Sequence, residues 1–214
     1  MAATAAGRQA ALHPAHWPIG ERDAPATMPA LRPGCCRLQA PHRDPRDATG
    51  VKVHFLAQPF ADGSDLRDFL AAAAGDDNLA NLDAVVAWAK RSGLSRLREE
   101  LEVIRSRPGQ TRLIVGIDEG GATRQGLVLA RELFDSVHVF HDRSGRTFHP
   151  KVYVAWGDVS ARLLVGSHNS TAGGVFFNYE AGVECELVLP DDEELLASVH
   201  RYVFAWVLVD LPWT

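Results

Sequence analysis

Three polar islands stand in an otherwise apolar C-terminal half: His149-Pro150-Lys151, Gly166-Ser167-His168-Asn169 and Asn178-Tyr179-Glu180. His149 and Lys151 are two apart, so on an extended strand both side chains point to one face. Asn169 and Glu180 follow on segments able to return to that face. An imidazole, an ammonium, an amide and a carboxylate converging on one spot suit a phosphodiester. In that arrangement Lys151 and Asn169 bind the non-bridging oxygens, His149 attacks phosphorus and Glu180 orients the imidazole. An imidazole is substantially neutral at physiological pH and is a nucleophile without a metal.

The order and spacing resemble the phospholipase D superfamily, whose signature is HxK, then GSxN at a distance, then an acid. Here these are His149-Pro150-Lys151, Gly166-Ser167-His168-Asn169 and the NxE step ending at Glu180. The short nuclease branch, including metal-independent restriction endonucleases with one such motif per chain, is the nearer likeness. It covers roughly residues 51–190, with weaker pieces at Ser92-Gly93-Leu94, Val115-Gly116-Ile117-Asp118 and Thr147-Phe148. The longer family pattern has an Asp five residues after the Lys. That position is Trp156, with Asp158 two further on. The nuclease branch often lacks this Asp, so the departure speaks against a lipase more than against catalysis.

The resemblance implies a phosphohistidine intermediate, no metal and no cofactor. In-line attack needs a second group to protonate the leaving oxygen, best a His with a pKa near the working pH. The family draws it from a second HxK, and none of the other histidines here is followed two residues later by Lys. A homodimer with the cleft on its two-fold axis is therefore expected, each copy giving His149, Lys151, Asn169 and Glu180, with Ser167 in support.

Each residue also has a plainer reading. His149 alone would be a surface histidine beside a turn, and Asn169 a turn or cap residue. Glu184 and Glu186 share the strand face of Glu180 by period two. His138, His141 and His168 tempt a metal reading, but His138 and His141 are three apart, poor spacing on a strand. Asp118 is read as a loop acid, an alternative to lining the cleft. Trp88, Trp156, Trp206 and Trp213 are read as core or interface packing.

The elements around these residues alternate. Val51–Leu56 reads as a strand, 64–73 as a helix capped by Ser64 and stopped by Gly75. Residues 82–89 read as a buried strand, although period alone leaves a helix open. Ser92-Gly93 makes a turn; Leu94, Leu97, Leu101 and Ile104 recur at helical spacing. Residues 111–117 are a strand, 123–134 a helix and 137–140 a strand. Residues 150–156 and 162–166 form a pair about Gly157-Asp158, Ser170-Thr171 cap a short helix that puts Asn169 at its N-terminus, 180–189 is a strand and 191–207 a helix. This βαβ alternation predicts a layered α/β domain, phospholipase D-like, with a mostly parallel mixed sheet flanked by helices.

Residues 49–214 are read as that domain. Residues 1–48 carry Pro14, Pro18, Pro25, Pro29, Pro33, Pro41 and Pro45 and show no sustained period, so they are read as a disordered or loosely attached arm. A DNA-contacting arm is the sharper alternative, since residues 1–50 hold six Arg against four acids. The remainder holds sixteen Lys and Arg against twenty-three acids, within a total net charge of −5. A chain this acidic holds DNA only through a local basic cleft, the doubled Lys and Asn of a dimer, or a separate sequence-recognition partner. Cys35, Cys36 and Cys185 are read as reduced thiols of a cytoplasmic protein. No signal-peptide core follows Met1, and the apolar run 202–209 is far short of the roughly 20 residues of a membrane span, so it is read as a buried helix or strand.

The leading expectation is a metal-independent phosphodiesterase, with DNA ahead of RNA as substrate and no membrane partner. The alternatives are a phospholipid-cleaving or transphosphatidylating enzyme, and a non-catalytic nucleic-acid-binding or dimerisation module.

Overall fold

Asp65 and Asp68 start the first helix by capping each other: Asp68 N–H donates to Asp65 Oδ1 at 2.9 Å and Asp65 N–H to Asp68 Oδ2 at 3.2 Å. Ser64, expected as the cap, instead accepts the Ala57 N–H at 2.6 Å and ties the preceding strand to the helix. The computed structural model describes residues 50–60, 63–142 and 144–208. The arm expected at 1–48, its six arginines, Cys35, Cys36 and Trp213 lie outside these residues.

Among the described residues, seven strands and five α-helices follow in the order β1 (Lys52–Gln58), α1 (Leu66–Ala74), β2 (Asn81–Val86), α2 (Arg91–Leu94), α3 (Arg98–Arg105), β3 (Thr111–Gly116), α4 (Arg124–Leu133), β4 (Ser136–Phe140), β5 (Lys151–Trp156), β6 (Ser160–Gly166), β7 (Glu180–Val188) and α5 (Glu193–Leu208), with short helical turns at Asp118–Gly120 and Gly173–Phe177. They build one mixed sheet in the order β1-β7-β6-β5-β2-β3-β4. The layered α/β architecture is the expected one, but the parallel share is smaller. Only β2–β3 and β3–β4 are parallel; β2–β5, β5–β6, β6–β7 and β1–β7 are antiparallel. The tight turn at Gly157, whose N–H donates to Ser160 O at 3.0 Å, forces β5 and β6 antiparallel. The β5–β6 hairpin then docks against β2 rather than extending the parallel run.

Both faces of the sheet are covered. Leu66, Phe69, Leu70 and Ala73 of α1, Leu101 and Ile104 of α3, and Leu129, Ala130 and Leu133 of α4 pack on Leu82, Ala84, Leu113, Tyr153 and Leu164. On the other face, Leu196 and Val203 of α5 meet Val154, Leu163, Val85, Ile114 and Phe148. Burying each such Leu or Phe contributes about 1.5–3 kcal/mol. Burial on both faces also explains why residues 81–86 are a strand despite their lack of alternation. The described part of the run from Tyr202 lies in α5, where Val203 is fully buried and Phe204 is half-exposed beneath the Arg112 guanidinium, 4.9 Å from its ring centroid. Among the described residues, no helix is long and apolar enough to cross a membrane.

Ser92-Gly93 belongs to the helical turn α2, not to a loop. A Cβ on Gly93 would come within 2.4 Å of the Ser170 backbone, so α2 is seated directly on the GSxN segment. That contact carries the fold to the site.

Candidate active site

The register gathers the motif residues at one end of the sheet. Gln58 lies opposite Glu180, Gly166 opposite Gly182 and Lys151 opposite Val86, all where β2 and β3 end. Phe148, buried against Phe140 and Trp206 at 4.8 and 5.0 Å, anchors the chain just before β5. His149 follows it and is exposed, whereas Lys151, two residues on, is 6% exposed.

The two side chains meet. Lys151 Nζ is 2.7 Å from His149 Nδ1, 2.8 Å from Nε2 and 3.0 Å from its carbonyl oxygen. A neutral imidazole offers one lone pair, so one ring nitrogen accepts from the ammonium and the other carries the proton. Burial pulls the Lys151 ammonium below its ordinary value, and the Glu180 carboxylate pulls it back up. A cation held partly desolvated at a cleft edge gains most from an incoming anion.

Asn169, 8% exposed, is fixed through its oxygen: Oδ1 accepts the Trp88 N–H at 3.1 Å. This orients Nδ2 as a free donor among the described residues. The Trp88 ring turns its edge to His149, centroids 6.0 Å apart at 86°. Trp88, read from sequence as core or interface packing, therefore packs against both motif residues. A Cβ on Gly121 would fall inside the Trp88 ring, so only glycine lets the indole lie where it does.

Glu180 is held by Ser167, whose Oγ donates to Oε2, and by Asn178 Nδ2, which donates to Oε1 at 3.0 Å. Ser167 Oγ also accepts the Ala181 N–H at 3.1 Å. Among the described residues Glu180 makes no hydrogen bond to His149, so the expected Glu180–His149 orienting contact is not formed here; Lys151 occupies the imidazole. The rival acids are engaged elsewhere: Glu184 with Arg162 at 2.8 Å, Glu186 with Lys52 and His54 at 3.1 Å. Gln58, buried and unremarked in the sequence, holds the helical turn before β7 by donating to Gly173 O and Asn178 O at 3.3 and 2.9 Å. A glutamine closing a strand carries no signal in one sequence.

The other histidines stand apart from His149. His141 pairs with Asp118 at 2.5 Å, which makes Asp118 a loop acid. His200 packs edge-to-face on Trp156, ring centroids 4.5 Å apart. His168 is buried over Gly166 and Gly182, with neither ring nitrogen hydrogen-bonded among the described residues. Burial pushes its pKa down and Glu180 draws it up. No group of three or more His, Cys, Asp or Glu side chains is placed to hold a metal ion among the described residues.

No protein-family profile matches the chain, and no curated protein matches it in sequence. Solved structures do. NucT from Helicobacter pylori superimposes with a TM-score of 0.52 at 15% identity, covering 74% of this chain and 96% of NucT. Nuc from Salmonella typhimurium, a phospholipase D family member, gives 0.50 at 14% identity, with 73% and 96% covered. The chain has the phospholipase D fold. Polyphosphate kinase from Porphyromonas gingivalis gives 0.52 at 12% identity over 72% of this chain and 26% of the kinase. One phospholipase D-like layer thus sits inside proteins of different activity, so the reaction has to be argued from the site.

Proposed function

We propose that this chain is a metal-independent phosphodiesterase that cleaves DNA through a phosphohistidine in a homodimeric site. The contact of Lys151 Nζ with the His149 ring carries the reading, because it puts a desolvated cation beside an exposed nucleophile. A bound phosphodiester draws the ammonium onto a non-bridging oxygen and frees the ring nitrogen. Asn169 Nδ2 supplies a second donor. His149 then forms a P–N bond as the bridging P–O bond breaks, and the leaving oxygen takes a proton from His149 of a second copy. That imidazole next removes a proton from water, whose oxygen attacks phosphorus and releases His149. Glu180, with its field on Lys151, balances the positive charge of the site.

His141, the other exposed histidine of the described residues, is paired with Asp118, and the chain carries a single HxK, which supports a site shared by two copies. Plasmid DNA incubated with the protein in excess EDTA is expected to be cut by wild type and left intact by His149→Ala, and sedimentation is expected to give a dimer mass. A requirement for divalent metal, or full cleavage by His149→Ala, removes the reading.

A further inference from the structure

The three most exposed large apolar side chains of the described residues fall on the two short segments that flank Glu180. Phe60, Phe177 and Tyr179 are 77%, 71% and 79% exposed. Phe60 and Tyr179 stack at 5.4 Å with their planes 25° apart. Phe177 and Tyr179 flank Asn178, the residue that holds Glu180, so these rings cannot be far from the carboxylate. Leaving rings in water forgoes about 25 cal/mol for every Å² that burial would remove, and a clustered exposed patch marks a binding surface.

The segment that carries Phe177 and Tyr179 is tied down. Asn178 N–H donates to Gly173 O at 2.9 Å across the helical turn Gly173–Phe177, Gln58 Nε2 donates to Gly173 O and Asn178 O, and Thr171 Oγ1 accepts the Gly174 N–H at 3.1 Å. Rings held on such a turn are presented rather than loosely displayed, which lowers the entropic cost of stacking a ligand on them.

Positive charge adjoins it. The Arg96 guanidinium lies over the Phe177 ring, 5.7 Å from the centroid. Lys90 donates its N–H to Ser170 O at 3.0 Å, which places Lys90 and Arg91 next to Asn169. Lys90, Arg91 and Arg96 make no ion pair among the described residues, whereas Arg98 is paired with Glu102 and Glu132. In a chain of net charge −5, unpaired cations beside exposed rings are complementary to a polyanion that bears planar groups. Bases are available for stacking only where they are unpaired; in a duplex their faces are hidden.

We propose that Phe60, Phe177 and Tyr179, with Lys90, Arg91 and Arg96, bind single-stranded nucleic acid, the bases stacking on the rings and the phosphates following the cations to His149. That the track ends at a cleaving site rests on the function proposed above; the strand binding does not. Such a surface makes a single strand the preferred substrate and explains how an acidic chain holds one.

Fluorescence anisotropy of a labelled single-stranded oligonucleotide in EDTA, with the full chain carrying His149→Ala, tests it. Phe177→Ala and Tyr179→Ala are each expected to weaken binding about 5- to 150-fold, the range measured for loss of one base–aromatic stack. Phe177→Trp is expected to keep binding and Phe177→Leu to lose it. The blunt duplex of the same sequence is expected to bind more weakly and to ignore these changes. Unchanged single-strand binding in Phe177→Ala and Tyr179→Ala overturns the proposal. So does rescue by leucine, loss of the dimer mass in these variants (an interface between copies), or loss of binding to phosphatidylglycerol vesicles alone. Hydrolysis of bis(p-nitrophenyl) phosphate by protein with His149 intact separates the two readings. Absent hydrolysis with ring-dependent binding refutes the phosphodiesterase and leaves the track; intact hydrolysis with ring-independent binding does the reverse.

Discussion

The Trp88 backbone N–H donates to Asn169 Oδ1 across 81 residues of sequence, and this one bond decides which end of the amide faces the site. Because the oxygen is taken, Nδ2 is the atom left for a ligand. Asn169→Asp keeps the acceptor for Trp88 and replaces the donor with a charged oxygen that repels phosphate. Single-turnover cleavage is expected to fall about 10²- to 10³-fold, the effect of removing one donor to a developing anion. Thermal melting is expected to stay nearly unchanged, which separates loss of chemistry from loss of fold.

Ser167 donates to Glu180 and is expected to act through it rather than on the substrate. Ser167→Ala removes one donor from the carboxylate while Asn178 remains. A single hydrogen bond contributes about 0.5–1.5 kcal/mol. Cleavage is expected to slow about 2- to 12-fold, the same free energy expressed as a rate. Ser167→Thr, which keeps the hydroxyl, is expected to restore most of it. If both variants cleave like wild type, Ser167 only packs the turn.

How much was legible in the chain follows the reach of each interaction. His149 and Lys151 share a side because a strand repeats every two residues, and α4 was readable from Thr123, whose Oγ1 accepts the Gly126 N–H at 3.1 Å. The β5–β6 pair was readable from Gly157. Long-range contacts were not. Ser92-Gly93 looks like a turn until the Ser170 backbone is packed against it, and β5 beside β2 is a docking choice that no local signal records. Asp65 displaced Ser64 as helix cap because the reciprocal bond from Asp68 adds a second partner. Trp88 was readable as packing, but its neighbours Asn169 and His149 were not, because both contacts are long-range. The Glu180–His149 contact was inferred from a motif, and the structure hands Glu180 to Ser167 and Asn178.

His168 and His200 make stability depend on pH. Burial lowers both, with Glu180 opposing for His168 and Arg112 adding for His200. The unfolded chain takes up protons below pH about 6.5, while the folded imidazoles take them up only at lower pH. Stability is therefore full above about pH 6.5 and falls as the pH drops below it, by at most about 1.4 kcal/mol per pH unit for each group. Melting temperature followed from neutral to mildly acidic buffer is expected to decline. His168→Gln is expected to flatten that decline; an unaltered slope would show that His168 titrates normally in the fold.

Asp83 is buried; its Oδ1 accepts from Arg112 Nε at 2.8 Å, and its other oxygen has no hydrogen-bond partner among the described residues. Burial raises the Asp83 pKa, and Arg112, with a smaller share from His138, opposes it. Arg112→Ala leaves a carboxylate stranded between β2 and α5 and is expected to cost about 3–5 kcal/mol in urea unfolding. Adding Asp83→Leu is expected to recover much of that loss. If the single variant is as stable as wild type, the pair has no part in holding the sheet.

The central claim is that His149 takes the phosphoryl group. Rapid alkaline quench of the protein during cleavage of a 5′- and 3′-labelled oligonucleotide, followed by peptide mass spectrometry, tests it directly, since a P–N bond survives base and is lost in acid. The expected result is a phosphorylated peptide bearing the adduct on His149, appearing and decaying at rates that match turnover. Cleavage proceeding at full rate with no adduct on His149 would contradict the account.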